Sequence, residues 1–385
     1  MTISALAAGV AGGGLALQVF SAAIAAVRCR RGGKPLAAAA DAPPVAIVQP
    51  LCGVEAFSKE TLASIFALDY PDYEVVFCVA DPADPIAPIA RRAMAAHPEI
   101  PSRLLIGDDR VSANPKLNNI VKGWKAAQRD WIVIADSNVL MPRDYIQRLM
   151  KRWRADTGIV CAPPLGARPG SFAAEIECAF LNTYQARWQY SAEALGFGFA
   201  QGKTMLWRCD ILEAGGGIEA LGAEIAEDAA STKLVHRADL RAHLASPPSQ
   251  QPLGVRRLRD VWARQVRWAR LRRATFPLHF APEIVTTSLL TLAAAAIGGE
   301  ELGVSAPAAL ILAAAIWYGA EAALAAVARW PLAWSSPAAW MARDALLPVL
   351  WLSGWMNARF VWRGNVMSAD EETLVAEGGS GGAGG

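Results

Sequence analysis

Histidine is thin in this chain of 385 residues: His97, His236, His243 and His279 are its only four, and they are scattered, so a His-rich metal site is not expected. The six cysteines (Cys29, Cys52, Cys78, Cys161, Cys178, Cys209) contain no C-x-x-C pair, and none stands at zinc-finger spacing from a histidine. That argues against a structural zinc or a disulfide framework and for reduced thiols. Charge is also low. Asp, Glu, Lys and Arg make up 19% of the residues, against about 25% in a soluble domain. A net charge of +2 excludes a general polyanion binder, and no nucleic-acid partner is expected. Neither G-x-G-x-x-G nor G-x-x-x-x-G-K-[ST] occurs in the middle of the chain, which removes support for dinucleotide and P-loop readings.

Apolar residues are what the chain has in excess, at 54%, with a mean hydropathy of +0.24. They concentrate in 1–27 and again after about 282. Residues 3–27 carry no charge and are long enough to cross a hydrocarbon core of about 30 Å. Arg28, Arg30, Arg31 and Lys34 follow at once. A signal peptide would carry its charges before the apolar run, so the segment reads as a retained anchor whose following chain is cytoplasmic. Three further apolar runs, 284–299, 303–328 and 345–361, close the chain. The first is short and the third carries Asn357 and Arg359, so either suits a tilted or interfacial segment. Glu321, within the second, should face protein or water. Trp330, Trp334 and Trp340 suit a head-group belt. The final EGGSGGAGG reads as a flexible linker or expression scar.

Between these ends, short β-branched runs alternate with helical spacing. Strands are expected at 43–51, 73–81, 103–107 and 130–136, and helices at 61–68, 88–97 and 116–128. The pattern predicts an α/β fold with a mostly parallel, doubly wound sheet, whose ligands bind at the carboxyl ends of strands. Asp81 and Asp136 fall at two such ends. An Asp there is often a turn or helix-cap residue; alternatively, Asp136 in ADSNV can hold a divalent cation bound to a diphosphate. Glu227 and Asp228 stand where a loop enters a helix, either as acids favoured by the helix dipole or as a general base. The arginines Arg256, Arg257, Arg259, Arg270, Arg272 and Arg273 fit simple attraction to lipid head groups. The stretch 174–207 interleaves Phe180, Tyr184, Trp188, Tyr190, Phe197 and Phe199 with polar residues. It reads either as an amphipathic helix packing its own core or as a lipid-facing interfacial helix.

Taken in order, Asp81, Asp136, Asp228 and Arg264-x-x-Arg267-Trp268 resemble the signature of processive and lipid-directed family 2-like glycosyltransferases with a GT-A fold. PLCGVE (50–55), LDYPDYEVVFCVADPADP (68–85), NPKLNN (114–119), ADSNV (135–139), IAEDAASTK (225–233) and RQVRWARLR (264–272) narrow the resemblance to the ceramide glucosyltransferases, glycosyltransferase family 21. It covers about 45–275 and the layout of one anchor with a C-terminal membrane cluster. The resemblance implies that Pro50, Gly53, Glu55 and Asp81 hold the uridine of a UDP-sugar and that Lys116 and Asn118 line the nucleotide-sugar cleft. It further implies that Asp136 faces the diphosphate and a Mg²⁺ or Mn²⁺ ion, that Asp228 is the catalytic base, and that Arg264, Arg267 and Trp268 close over the diphosphate. Gln201 and Gly202, with Trp188, would border the acceptor. One departure stands out: a D-x-D metal motif would need an acid at 138, where this chain has Asn138.

The implied organisation is an anchor over 1–28, a cytoplasmic catalytic domain over 42–255, a basic interfacial segment over 256–280, membrane helices over 281–363 and a tail over 364–385. The implied activity is inverting transfer of glucose from UDP-glucose to the primary hydroxyl of ceramide or a related membrane lipid, in a multi-pass protein of the bilayer, by composition a bacterial inner-membrane protein. The competing enzyme reading keeps the chemistry and changes the acceptor to a hopanoid or glycolipid precursor, with UDP-N-acetylglucosamine or UDP-galactose as donor. A processive polysaccharide synthase would need more channel helices. A non-catalytic nucleotide-sugar sensor would have lost the base or the arginines.

Overall fold

The computed structural model describes residues 2–30, 35–356, 359–362 and 365–368. Arg31, Lys34, Asn357 and the EGGSGGAGG stretch lie outside the described residues. Four strands come first: β1 (Val45–Leu51), β2 (Tyr73–Val79), β3 (Ser102–Ile106) and β4 (Trp131–Ala135). All of β2 and all but one residue of β1 are buried, as in strands covered on both faces. They follow the apolar runs to within two residues. After them come β5 (Thr157–Cys161), β6 (Pro164–Pro169), β7 (Thr204–Arg208), β8 (Arg241–Leu244) and β9 (Ser249–Gly254). Seven strands form one sheet in the order β3-β2-β1-β4-β7-β5-β8, and β6 pairs with β9 separately. The sheet is parallel except for β7, which runs antiparallel to both β4 and β5.

From β1 the chain builds outward to β2 and β3 on one side, and β4 begins the other. Loops leaving β1 and β4 therefore diverge and open a crevice at their carboxyl ends. The helix Pro115–Ala126 buries Leu117, Ile120, Val121 and Trp124 against the sheet. Its start is fixed by sequence: Pro115 occupies the first turn, and Asn114 caps it, with Oδ1 accepting from the backbone N–H groups of Lys116 and Leu117. That capped end delivers Lys116 to the crevice.

Ile3–Cys29 and Ala306–Ala328 are two helices long and apolar enough to cross a membrane; the count is three if the bent pair Pro277–Thr286 and Ser288–Leu302, angled by 43°, is one span. The chain itself buries only 28% of the span window in each of the two helices, leaving apolar surface that lipid would cover. The two helices do not stand apart from the sheet. Ala22, Ala25 and Cys29 of the first and Leu324, Ala325 and Ala328 of the second share one buried core with Val48, Ile120 and Trp207. Helix Ser336–Met356, with Pro348 inside it, packs on Phe172–Ala179 and on Leu258–Thr275, the helix that carries RQVRW.

Two sequence expectations change here. The stretch 174–207 is not one lipid-facing helix. It is helix Phe172–Ala179, a π-helical segment Phe180–Ala186, helix Arg187–Ala194 and then a loop into β7. Phe180, Tyr184 and Tyr190 are buried by protein, so they belong to the core, whereas Phe197 is 69% exposed. The head-group reading also fails for two arginines, because their charges are met within the protein. Arg256 meets Glu55 at 3.1 Å and Glu177 at 3.7 Å, and Arg272 meets Glu283 at 2.8 Å.

Candidate active site

A single cavity of about 1790 Å³ occupies the crevice and continues to the helices next to the membrane spans. Its wall at the strand ends includes Pro50, Glu55, Asp81, Lys116, Asn118 and Asp136; its far end includes Phe276, Phe280 and Thr286. Asp228, Gln201, Gly202, Trp188, Arg264, Arg267 and Trp268 line it between these ends. The separate sequence blocks are thus brought to one wall. Gly53 is the exception among the expected residues. It is not part of the lining; its φ of +67° forms a turn that suits glycine, and its N–H donates to both carboxylate oxygens of Asp84 at 2.9–3.0 Å.

The floor is a chain of linked charges. Lys116 Nζ lies 2.8 Å from Asp136 Oδ1 and 2.6 Å from Glu227 Oε1, and donates to the Gly202 carbonyl at 2.6 Å. Lys203 Nζ lies 2.7 Å from Asp136 Oδ2 and 3.1 Å from Asn138 Oδ1. Asn114, through its Nδ2, donates to Glu227 Oε2 at 2.7 Å. Burial alone would raise the Asp136 carboxyl, but the two lysines outweigh it and hold it well below the usual carboxylate range. Burial would likewise lower Lys116, and the carboxylates of Asp136 and Glu227 keep it above the ordinary lysine value. For Lys203 burial wins: with Arg264 and Lys116 nearby, its ammonium is drawn below its ordinary value despite Asp136.

Asp228 is held differently. Its Oδ2 accepts from the Gly202 N–H at 2.9 Å and its Oδ1 from the Ala229 N–H at 2.9 Å, in the first turn of helix Glu227–Arg237. Burial, and then the Glu227 carboxylate beside it, push the Asp228 carboxyl up to about 6. That is a carboxylate able to accept a proton near neutral pH. Gly202 joins the two halves of the floor, its N–H on Asp228 and its carbonyl on Lys116. A Cβ there would stand 2.8 Å from Glu227 Oε1, 3.1 Å from Lys116 Nζ and 3.2 Å from Asp228 Oδ2.

Other expected residues are partly engaged in structure. Asp81 Oδ1 accepts from the Ala83 N–H at 2.8 Å, the turn role weighed above, while the residue still lines the cavity. The Asn118 side chain ties down its neighbouring loop, with Oδ1 accepting from the N–H groups of Val111 and Ser112 and Nδ2 donating to the Ser112 carbonyl. Arg264 is clasped by Glu177, which is 1% exposed. Burial would raise Glu55, and Arg256 holds it below the usual range. The Trp188 ring lies under the Arg187 guanidinium, 4.9 Å from its centroid. Trp268 packs on the cluster of Ala174, Cys178, Leu181 and Leu253.

Sequence reasoning overlooked Lys203, Asn114, Asp84 and Glu177, and it weighed Glu227 with Asp228 as a helix-start acid or a base, not as a partner of Lys116. Asn114 had a usable signal, a capping residue directly before Pro115. Glu177 had none.

The expected metal finds a poor donor set. Asp136 presents both oxygens to ammonium groups, position 138 is an amide, and among the described residues no group of three or more His, Cys, Asp or Glu is arranged to hold an ion. The residues present do not fit a divalent cation as arranged, because it would have to displace a lysine from Asp136.

Comparison with known proteins places this chemistry in a family. The sequence profile of glycosyl transferase family 21 matches residues 14–375. Ceramide glucosyltransferase 1 of Caenorhabditis elegans is 27% identical over 238 residues, covering 61% of this chain and 51% of its own length. Ceramide glucosyltransferase 3 of the same organism is 23% identical over 331 residues, covering 84% and 72%. The chain thus spans about half the length of the first of these curated relatives. Among solved structures, a mannosyltransferase from Pyrobaculum calidifontis, in complex with GDP-Man and Mn²⁺, aligns with a TM-score of 0.48 and 21% identity, covering 90% of this chain and 97% of that one.

Proposed function

Because the chain belongs to glycosyl transferase family 21, we propose that it moves a sugar from a UDP donor to a hydroxyl of a membrane lipid, with UDP-glucose and the primary hydroxyl of ceramide as the pair. The observation that carries this is the continuity of one cavity. It runs from the carboxyl ends of β1 and β4, past Asp228, to Phe276, Phe280 and Thr286 beside the apolar helices.

The uridine would lie along Pro50, Glu55 and Asp81, and the sugar would reach toward Asp228. The lipid hydroxyl would enter from the side of Trp188 and Phe276. Asp228 Oδ2 would take its proton, and the oxygen would attack the anomeric carbon on the face opposite the diphosphate. The bond to UDP breaks as the new bond forms, so configuration inverts and no enzyme-bound glycosyl intermediate is needed. Arg264 and Arg267 would stabilise the charge growing on the leaving diphosphate, which is where a fixed cation contributes most. The Asp228 carboxyl, at about 6, is ionised in a useful fraction at neutral pH and basic enough to accept a proton. Asp136 would hold the lysines of the floor.

A second reading changes the acceptor. Pockets for drug-sized ligands measure about 300–1,000 Å³, so a cavity of about 1790 Å³ leaves room for a bulky lipid head as well as a nucleotide sugar. A rigid hopanoid with UDP-N-acetylglucosamine, or a glycolipid precursor with UDP-galactose, is compatible with that space. The deciding measurement is mass spectrometry of lipids formed by the purified full chain from mixed UDP-sugars, ceramide and hopanoid alcohols. β-Glucosylceramide supports the first pair, and a hexosaminyl hopanoid supports the second. UDP release with no glycolipid from any mixture would sink both.

A further inference from the structure

If the crevice holds a nucleoside diphosphate sugar, negative charge must be met at the carboxyl end of β4. The two lysines there differ in how many donors they have left. An ammonium carries three N–H donors. Lys116 directs its three at Asp136 Oδ1 (2.8 Å), Glu227 Oε1 (2.6 Å) and the Gly202 carbonyl (2.6 Å). Lys203 Nζ has two partners, Asp136 Oδ2 (2.7 Å) and Asn138 Oδ1 (3.1 Å), and it lines the cavity. Its third N–H meets no acceptor among the described residues.

A divalent ion in this place would need several oxygen ligands. The segment offers one carboxylate, Asp136, and each of its oxygens already faces an ammonium group. The other side chain at hand, Asn138, is an amide that accepts from Lys203. An ion bound to Asp136 would stand against two like charges or push one of them away. A lysine, in contrast, is a compact point charge well suited to phosphate oxygens.

We infer that Lys203 binds the diphosphate of the nucleotide sugar where a divalent cation would otherwise stand, with Asp136 holding Lys203 and Lys116 in place instead of ligating a metal, an arrangement that rests on the glycosyl-transfer reading. Lys116 is then the brace, saturated by its three acceptors, and Lys203 is the contact. Asn138 belongs to the same device, since an aspartate at that position would attract the ammonium and offer a metal a second carboxylate.

The test is equilibrium binding of UDP to the full chain in detergent, once in excess EDTA and once with millimolar Mn²⁺ or Mg²⁺. Affinities that agree within about threefold support the inference. Lys203→Met, checked for folding by its melting temperature, should weaken UDP binding by roughly tenfold to a hundredfold, the range of a lost charge-assisted hydrogen bond. Lys203→Arg should recover most of that loss. Should Lys203→Met fail to fold, Lys203→Gln carries the same comparison. Loss of more than about tenfold in EDTA, or UDP binding unchanged by removal of the Lys203 charge, overturns the inference. Absence of UDP binding in both buffers sinks the nucleotide-sugar reading itself, and this assignment with it.

Discussion

Two regions of this molecule bury clusters of acids and bases, and they are built to opposite ends. At the cavity floor, Asp136 and Glu227 meet Lys116 and Lys203, with Asp228 beside them held by backbone N–H groups, on a surface open to a ligand. Between the membrane-side helices, Arg343 binds Glu321 at 2.8 Å and Asp344 at 2.7 Å, and it also donates to Thr183 Oγ1 at 2.9 Å and the Ala179 carbonyl at 3.2 Å. Gln18, from the first span, donates to Glu321 at 3.2 Å, and Arg187 donates in turn to Gln18 and Ser21. Glu321, Arg343 and Asp344 are at most 2% exposed, and none of them lines the cavity. The closed cluster ties the anchor, the segment around Thr183 and two C-terminal helices together, and its acceptors are used up. The open cluster keeps a donor on Lys203 and, on Asp228, a carboxyl raised to about 6 that lines the cavity. Burial of charge is therefore no sign of chemistry by itself. Unused hydrogen-bonding capacity that faces a cavity is the better sign.

The comparison can be broken at either end. The largest expected effect is on rate: Asp228→Asn should reduce glycosyl transfer by about 10²–10⁴-fold, while UDP binding and the melting temperature stay near wild type. Retention of substantial turnover by purified Asp228→Asn would remove the base assignment. At the closed cluster the effect should fall on stability instead. Glu321→Leu leaves Arg343 buried without one of its two counter-charges and should cost about 3–5 kcal/mol, seen as a lowered melting temperature in detergent, with turnover of the folded fraction little changed. If the melting temperature is unmoved, the closed cluster is not a structural tie.

Gly202→Ala tests the link between the two halves of the floor. A Cβ there would crowd Glu227, Lys116 and Asp228 together. Displacing them by even a fraction of an ångström should lower kcat by up to about 10²-fold, with little loss of fold. Wild-type kcat in this variant would mean that the floor tolerates movement. The smallest effect is with pH. In the proposed role Asp228 would act as a base only when ionised, and its carboxyl is raised to about 6. Rate should therefore be on its plateau above pH 7 and fall as pH drops through about 6, by close to tenfold per unit below it. A profile flat from pH 5 to 8 contradicts the assignment.

Much of the architecture was readable in advance from residue pattern. The runs that became β1, β2 and β4 are largely apolar because both faces of those strands are covered, whereas β3, at the sheet edge, is only half-buried. Glu321 was expected to face protein or water, and it is fully buried by protein. The stretch around Phe180, Tyr184 and Tyr190 was harder. Aromatics at helical spacing look alike whether lipid or protein covers them; Ser336–Met356 and Leu258–Thr275 pack over Phe180 and Tyr184, and Tyr190 joins the core shared by Ile3–Cys29 and the sheet. Within the site, the blocks were found and the partners were not. Asp228 was singled out, whereas Glu177, the residue that clasps Arg264, lies in a helix with nothing in its surroundings to distinguish it.

The sequence alone determined the first four strands and the apolar spans, because these follow from local periodicity, and its resemblance to a family singled out the acids and arginines that line the cavity. Only the tertiary structure decided which charges meet. Asn114 reaches Glu227 across 113 residues, and Arg264 reaches Glu177 across 87. Lys203 arrives at Asp136 because β7 inserts antiparallel beside β4. Such pairings depend on strand order and on the few ångströms over which ions interact strongly, and neither of these is written in local sequence.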